Sequence, residues 1–188
     1  MQELTKRLRG FSLDEDELTK RKSKSNKHNN TTAFDFQCSA FYQGQFISFH
    51  LLDVFQNVNY ALIFFCSYDF TEQSKSDLLQ IQQYFSSFIE KGVLPVVITQ
   101  DSVYTHKLYA TPGQTSFSLG FKPSYILASD FADRLISIAY KAMNMNTRDI
   151  KRTAVIVRND MEVLFHYHVP EGRNFPVDIL LDCFGEHL

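Results

Sequence analysis

The chain has 188 residues and a mass of 21.8 kDa, the size of one domain plus a tail. Apolar residues make up 44% and charged residues 21%, with Phe (18) and Tyr (9) prominent, so a packed core is within reach and a wholly disordered chain is excluded. A net charge of −2 argues against general nucleic-acid binding, and no apolar run approaches the ~20 residues of a membrane span. Three widely spaced cysteines, Cys38, Cys66 and Cys183, are too few for a disulfide scaffold. With no apolar leader at the N-terminus, they suggest a soluble protein of the cytoplasm.

Residues 1–30 differ from the rest. Asp14, Glu15, Asp16 and Glu17 are followed by Lys20, Arg21, Lys22, Lys24 and Lys27, and no large apolar residue stands between Leu18 and Phe34. Such a stretch buries too little apolar surface to offset the entropy of ordering, so it reads as a charged, disordered arm. Residues 31–188 read as one globular domain. Phe34, Phe36 and Cys38 alternate, Gln43-Gly44-Gln45 offers a turn, and Phe46 to Leu52 returns, a β-hairpin.

Tyr60 to Cys66 is continuously apolar, the pattern of a strand buried on both faces. Leu78, Ile81, Phe85 and Phe88 recur at helical spacing until Gly92 stops the helix. Val93 to Thr99 is a second buried strand. Asp101 to Tyr109 and Phe131 to Tyr140 read as helices. Thr153 to Val157 and Val163 to Val169 flank an Asn159-Asp160 turn, and Phe175 to Phe184 closes as an amphipathic helix. A parallel β-α-β unit followed by an antiparallel hairpin and a helix is the thioredoxin plan: α/β, one mixed sheet between helices, here with an N-terminal β-hairpin.

The segment after the first buried strand, Phe64-Phe65-Cys66-Ser67-Tyr68-Asp69-Phe70-Thr71-Glu72-Gln73-Ser74, resembles the active-site loop of typical two-cysteine peroxiredoxins, F-F-Y-P-L-D-F-T-F-V-C-P. Further matches follow in order. Asp101-Ser102-x-Tyr104-Thr105-His106 resembles V-D-S-x-F-T-H, and Thr111-Pro112 resembles N-T-P. Arg152 resembles the arginine of R-G-L-F-I-I-D, and Val169-Pro170-Glu171-Gly172-Arg173-Asn174 resembles L-P-V-G-R-N. The resemblance covers about residues 34–184. It implies a thiol peroxidase site that needs no cofactor, with a thiolate in the first helical turn, a threonine hydroxyl and an arginine.

The departures fall on that chemistry. The resemblance puts the peroxidatic cysteine at Ser74, the following proline at Lys75 and the shielding proline at Ser67. Thr71 and Arg152 keep their family identities. A serine hydroxyl ionises far above neutral pH and cannot cycle through a sulfenic acid. The family's resolving cysteine lies in a C-terminal extension, and this chain stops at Leu188. A pseudoenzyme is therefore expected, acting by dimerisation or partner binding.

The rival reading is an active peroxidase with Cys66 as a relocated nucleophile and thioredoxin or a small thiol as reductant. A third reading has Thr71, Ser74 and Arg152 bind a small anion at the helix N-terminus. Thr71 also has a plain structural use as a helix cap.

Cys38 and Cys183 read as core residues, and Cys38 and Cys66 belong to neighbouring elements, which leaves a disulfide open. His106 is expected at a helix surface or an interface. His166 and His168 share one face of a strand, but zinc needs a third ligand and none follows, so no metal site is expected. The strand Val163–Val169 reads as a sheet edge. The resemblance implies that it meets its twin in a homodimer, and it allows association with other peroxiredoxins. No nucleic-acid or membrane partner is expected.

Overall fold

Tyr60-Ala61-Leu62-Ile63-Phe64-Phe65 leaves a strand no face to offer to water. In the computed structural model, which describes residues 31–184, these residues form β3 (Tyr60–Phe65) inside a seven-stranded mixed sheet. The expected arm, residues 1–30, lies outside the described residues. The sheet also holds β1 (Gln37–Tyr42), β2 (Gln45–His50), β4 (Val93–Thr99), β5 (Ile126–Ser129), β6 (Thr153–Arg158) and β7 (Val163–His168), in the order β2-β1-β5-β4-β3-β6-β7. β3, β4 and β5 run parallel; β6 is antiparallel to β3, and β7 to β6. The helices are α1 (Leu51–Val54), α2 (Glu72–Glu90), α3 (Val103–Ala110), α4 (Leu135–Ala139) and α5 (Val177–Cys183).

Successive side chains of β3 serve two cores. Leu62 and Phe64 pack with Leu78, Ile81 and Phe88 of α2 and Leu180 of α5. Ile63 and Phe65 pack on the opposite face with Ile98, Phe36, Leu51 and Tyr140. This alternation is the pleat itself, with both faces covered.

Local chemistry sets the boundaries. Gln43 and Gly44 both take positive φ, 49° and 87°, as a two-residue hairpin turn demands. Gly92, at φ 70°, ends α2 in the left-handed region, and a Cβ there would stand 3.3 Å from the Asn59 side chain. Between β6 and β7, Met161 at φ 65° accompanies a register shift at Ile156/Val157.

Three sequence readings are corrected. β5, a four-residue strand, is absent from the expected order and completes the parallel unit between β4 and β1. The helix expected over 131–140 spans only Leu135–Ala139. Asp130 accepts from Ile136 N, Ser137 N and Ser137 Oγ, so the chain turns before it coils, and Phe131 is left 62% exposed. The hairpin stops at His50, and Leu51 turns into α1.

Phe88 is fully buried at the α2–β3 contact, against Phe64 at 6.5 Å between ring centroids. Phe88→Ala is expected to destabilise the fold by about 3–5 kcal/mol through lost burial and a residual cavity. A urea midpoint shift at unchanged slope measures it.

Candidate active site

The site forms where β3 runs out and α2 begins. Cys66 N–H still bonds the Ile98 carbonyl, which keeps the chain in the sheet for one residue more. The loop then turns on Asp69. Its N–H donates to Asp101 Oδ2 at 2.7 Å, and its Oδ2 meets His106 Nδ1 at 2.7 Å, both side chains being fully buried. His106 Nε2 faces the Ala128 carbonyl at 3.4 Å. His106 is therefore an internal strut between the loop and α3, not the surface or interface residue expected. Phe70 sits at φ 59°, an uncommon conformation for a bulky residue, and its ring lies 4.7 Å from that of Tyr109.

That turn delivers Thr71 as the N-cap of α2. Its Oγ1 accepts from Ser74 N at 3.1 Å and donates to the Tyr68 carbonyl at 3.2 Å. Thr71 thus satisfies one of the orphan donors of the first turn. Ser74 follows on the face of α2 that turns inward, 3% exposed, with its Oγ lacking any hydrogen-bond partner. Tyr109 approaches from α3, and its phenol also lacks a partner. Burial and the Asp69 carboxylate push that phenol up, with the neighbouring Ser74 hydroxyl, close but outside hydrogen-bond geometry, opposing. Asp69 Oδ1 and both polar atoms of Gln100 are likewise buried without a partner. Around the first turn of α2 several buried polar atoms therefore stand without a partner among the described residues.

Arg152 lies just ahead of β6 and reaches α2, but its partner is Asp77. Nε donates to Asp77 Oδ2 at 2.8 Å and Nη2 to Asp77 Oδ1 at 2.6 Å, a two-pronged pair. Nη1 donates to the Arg173 carbonyl at 2.6 Å, and the guanidinium lies over the Phe175 ring at 5.0 Å. The Asp77 side chain is 1% exposed and that of Arg152 13%. Burial raises the Asp77 carboxyl above its ordinary value, and Arg152 opposes that rise. Much of the charge expected to attract an anion at the helix terminus is thus committed to a carboxylate three residues beyond Ser74. Asp77 escaped the sequence reading, although a carboxylate on the apolar face of a helix was a visible signal.

Cys66 is buried in the core with Leu78, Tyr109 and Tyr125. Burial, seconded by Asp77, holds its thiol well above the usual range, with Arg152 opposing. Such a thiol carries almost no thiolate at neutral pH. Cys38 packs on the opposite core, its thiol pushed up to about 12 by burial and Asp130. Cys183 Sγ donates to the Ile179 carbonyl at 3.0 Å. Cys38 and Cys66 are not bridged, so the disulfide left open between them is not formed. Among the described residues no three metal-ligating side chains gather within the chain, and no helix is long and apolar enough to cross a membrane.

Chemically, the site has an anion-favouring helix start, a capping threonine and a buried hydroxyl. Among the described residues no base bonds Ser74 Oγ, and an unactivated serine is a weak nucleophile.

Residues 30–166 match the model of the AhpC/TSA family. The ycf42 protein of Porphyra purpurea, named a peroxiredoxin, is 32% identical over 110 residues, 58% of this chain and 53% of that protein. The chain thus spans about half the length of the curated relative it matches. The reduced 2-Cys peroxiredoxin of Plasmodium vivax has a similar structure, with a TM-score of 0.73 at 21% identity over 82% of this chain and 79% of that one. AhpC of Enterococcus faecalis gives 0.73 at 21% identity over 82% and 89%. Thioredoxin peroxidase I of Plasmodium yoelii gives 0.72 at 23% over 82% and 87%.

The Arg152–Asp77 pair yields a prediction with a pH signature. Because the Asp77 pKa is raised, ionising this carboxyl costs stability as pH rises through that value, and Arg152 limits the cost. Arg152→Ala is expected to destabilise by about 3–5 kcal/mol at pH 7, where Asp77 would be left charged and unpaired. The loss should shrink as pH falls and Asp77 takes a proton, a trend that urea melts from pH 7 to 4 will detect.

Proposed function

The chain belongs to the AhpC/TSA family of peroxiredoxins, and from that premise we propose that it is a pseudoenzyme, a peroxiredoxin scaffold emptied of its nucleophile. Ser74 occupies the position at which the resemblance expects the peroxidatic cysteine. The observation that carries the reading is its hydroxyl, buried in the first turn of α2 beside the capping Thr71, with no base bonded to it. Peroxide reduction needs a sulfur that accepts an oxygen and is later reduced, and a hydroxyl supplies neither step. The rival nucleophile, Cys66, is packed in the core with a raised thiol pKa, which counts against the enzymatic reading. The committed guanidinium of Arg152 counts against the anion-binding one.

What remains is interaction. Among the described residues β7 has a strand partner on one side only, β6. Val169 N–H bonds the Arg152 carbonyl, so antiparallel alternation turns the backbone groups of His166 and His168 away from β6. An unpaired row of this kind is a template for a second strand. A homodimer through β7, and through it association with other peroxiredoxins, is the role this surface supports. The unbridged thiols of Cys38 and Cys66 support residence in a reducing compartment such as the cytoplasm.

Two experiments test the reading. Ser74→Cys is expected to gain rapid, saturable reaction with hydrogen peroxide in stopped flow. A variant no faster than a free thiol would mean that the pocket no longer orients peroxide. For the dimer, His168→Pro removes an outward N–H without touching the β6 ladder. Its mass by sedimentation equilibrium should shift toward the monomer; an unchanged dimer would place the interface elsewhere.

A further inference from the structure

β7 carries His166 and His168 on one face, with ring centroids 4.7 Å apart and planes at 87°. Their other contacts fix which nitrogen of each ring is free. The Tyr140 carbonyl can only accept, so His166 Nε2, 2.8 Å away, is the protonated nitrogen and Nδ1 carries the lone pair. Thr153 Oγ1 spends its proton on the Lys151 carbonyl at 2.8 Å. It therefore accepts from His168 Nδ1 at 2.9 Å, and His168 Nε2 carries the lone pair. Neither lone pair has a partner among the described residues. A histidine whose second nitrogen donates to a backbone carbonyl or a fixed oxygen is held as a metal-ligating histidine is held.

Two imidazoles sharing one zinc-like ion, at metal–nitrogen distances of about 2.0–2.1 Å, bring their ring centres to roughly 5 Å, close to the separation seen here. Among the described residues one chain supplies two such ligands and no third beside them. The edge supplies the rest. Thr31 O accepts from Val163 N–H and Thr32 bridges Glu162, so residues 31 and 32 already cover the start of β7. The stretch that the described residues leave uncovered, Phe165 to Val169, is centred on Tyr167. Antiparallel pairing of two copies about that centre sets His166 opposite the partner's His168, and all four rings fall on one face of the shared sheet. Phe165 and Tyr167 alternate to the other face, against Ile179 and Cys183.

We propose that the dimer formed through β7 builds a four-histidine site for a divalent transition metal of the zinc class on its two-fold axis, from His166 and His168 of each copy. The inference rests on the dimer reading. All-imidazole ligation favours zinc, copper, nickel or cobalt over calcium or magnesium. Lys141, exposed beside His166, borders the site on a flexible stem.

The test is a Co²⁺ titration of the untagged full-length protein, followed by visible absorption, with molecular mass measured in Co²⁺ and in EDTA. The expected result is a tetrahedral cobalt spectrum that saturates at half an equivalent per chain on a dimer. His166→Ala and His168→Asn should each abolish it, and His50→Ala should leave it intact. A protein dimeric in EDTA that gives no such spectrum overturns the metal site and leaves the dimer standing. A protein monomeric with and without metal overturns both. Saturation at a full equivalent per chain overturns the shared site, since each copy would then bind alone.

Discussion

The ion pair between Asp77 and Arg152 ties the start of α2 to the strand on the far side of β3. Both groups are withdrawn from water, and burial raises the Asp77 carboxyl even against a two-pronged guanidinium. Half of such a pair cannot remain alone without an unpaired buried charge. The pair therefore fixes where the first turns of α2 sit over the sheet. It also fixes where Ser74, one helical step earlier, presents its hydroxyl. Arg152 extends the clamp to the chain after β7 through the Arg173 carbonyl, and to the Phe175 ring. Helix, central sheet and C-terminal segment meet at this one guanidinium.

Around that clamp the loop before α2 is held by several side chains. The cap at Thr71, the left-handed turn at Phe70 and the Asp69–His106 strut hold the loop in one conformation. Ser74, Tyr109, Asp69 and Gln100 keep buried polar atoms that the protein leaves unbonded. A core built only for stability would avoid these, since each such group costs about 1–3 kcal/mol. The same architecture buries Cys66 beneath the loop and raises its thiol. Cys66 is thus held in the core beside Tyr109, where a thiolate is disfavoured. That burial, together with a β7 edge that no other strand among the described residues covers, favours association over chemistry as the proposed role.

Much of this was legible in the residues because strong local signals agreed. β3 and β4 are uninterrupted apolar runs, α2 has a cap, a periodic apolar face and a glycine stop, and the last hairpin has its turn. β5 was not legible, because four apolar residues are too few for periodicity to separate a strand from a loop. The helix expected from Phe131 failed because Asp130 bonds the backbone of Ile136 and Ser137, a turn that residue spacing alone does not reveal. Thr71 as a cap was readable from its place before the helix. The partner of Arg152 was not, since 75 residues separate it from Asp77 and only folding brings them together. His106 was misplaced to the surface for the same reason: its partner Asp69 lies 37 residues away, and a charged-type residue reads as exposed until its pair is known.

We propose that the protein keeps the peroxiredoxin fold without a peroxidatic thiol. The most direct test is the rate at which the reduced wild-type protein consumes hydrogen peroxide, beside Cys66→Ser. Both proteins are expected to react no faster than a free thiol and to be indistinguishable. Rapid reaction by the wild type that Cys66→Ser abolishes would contradict the proposal, and would make the protein an enzyme with a relocated sulfur.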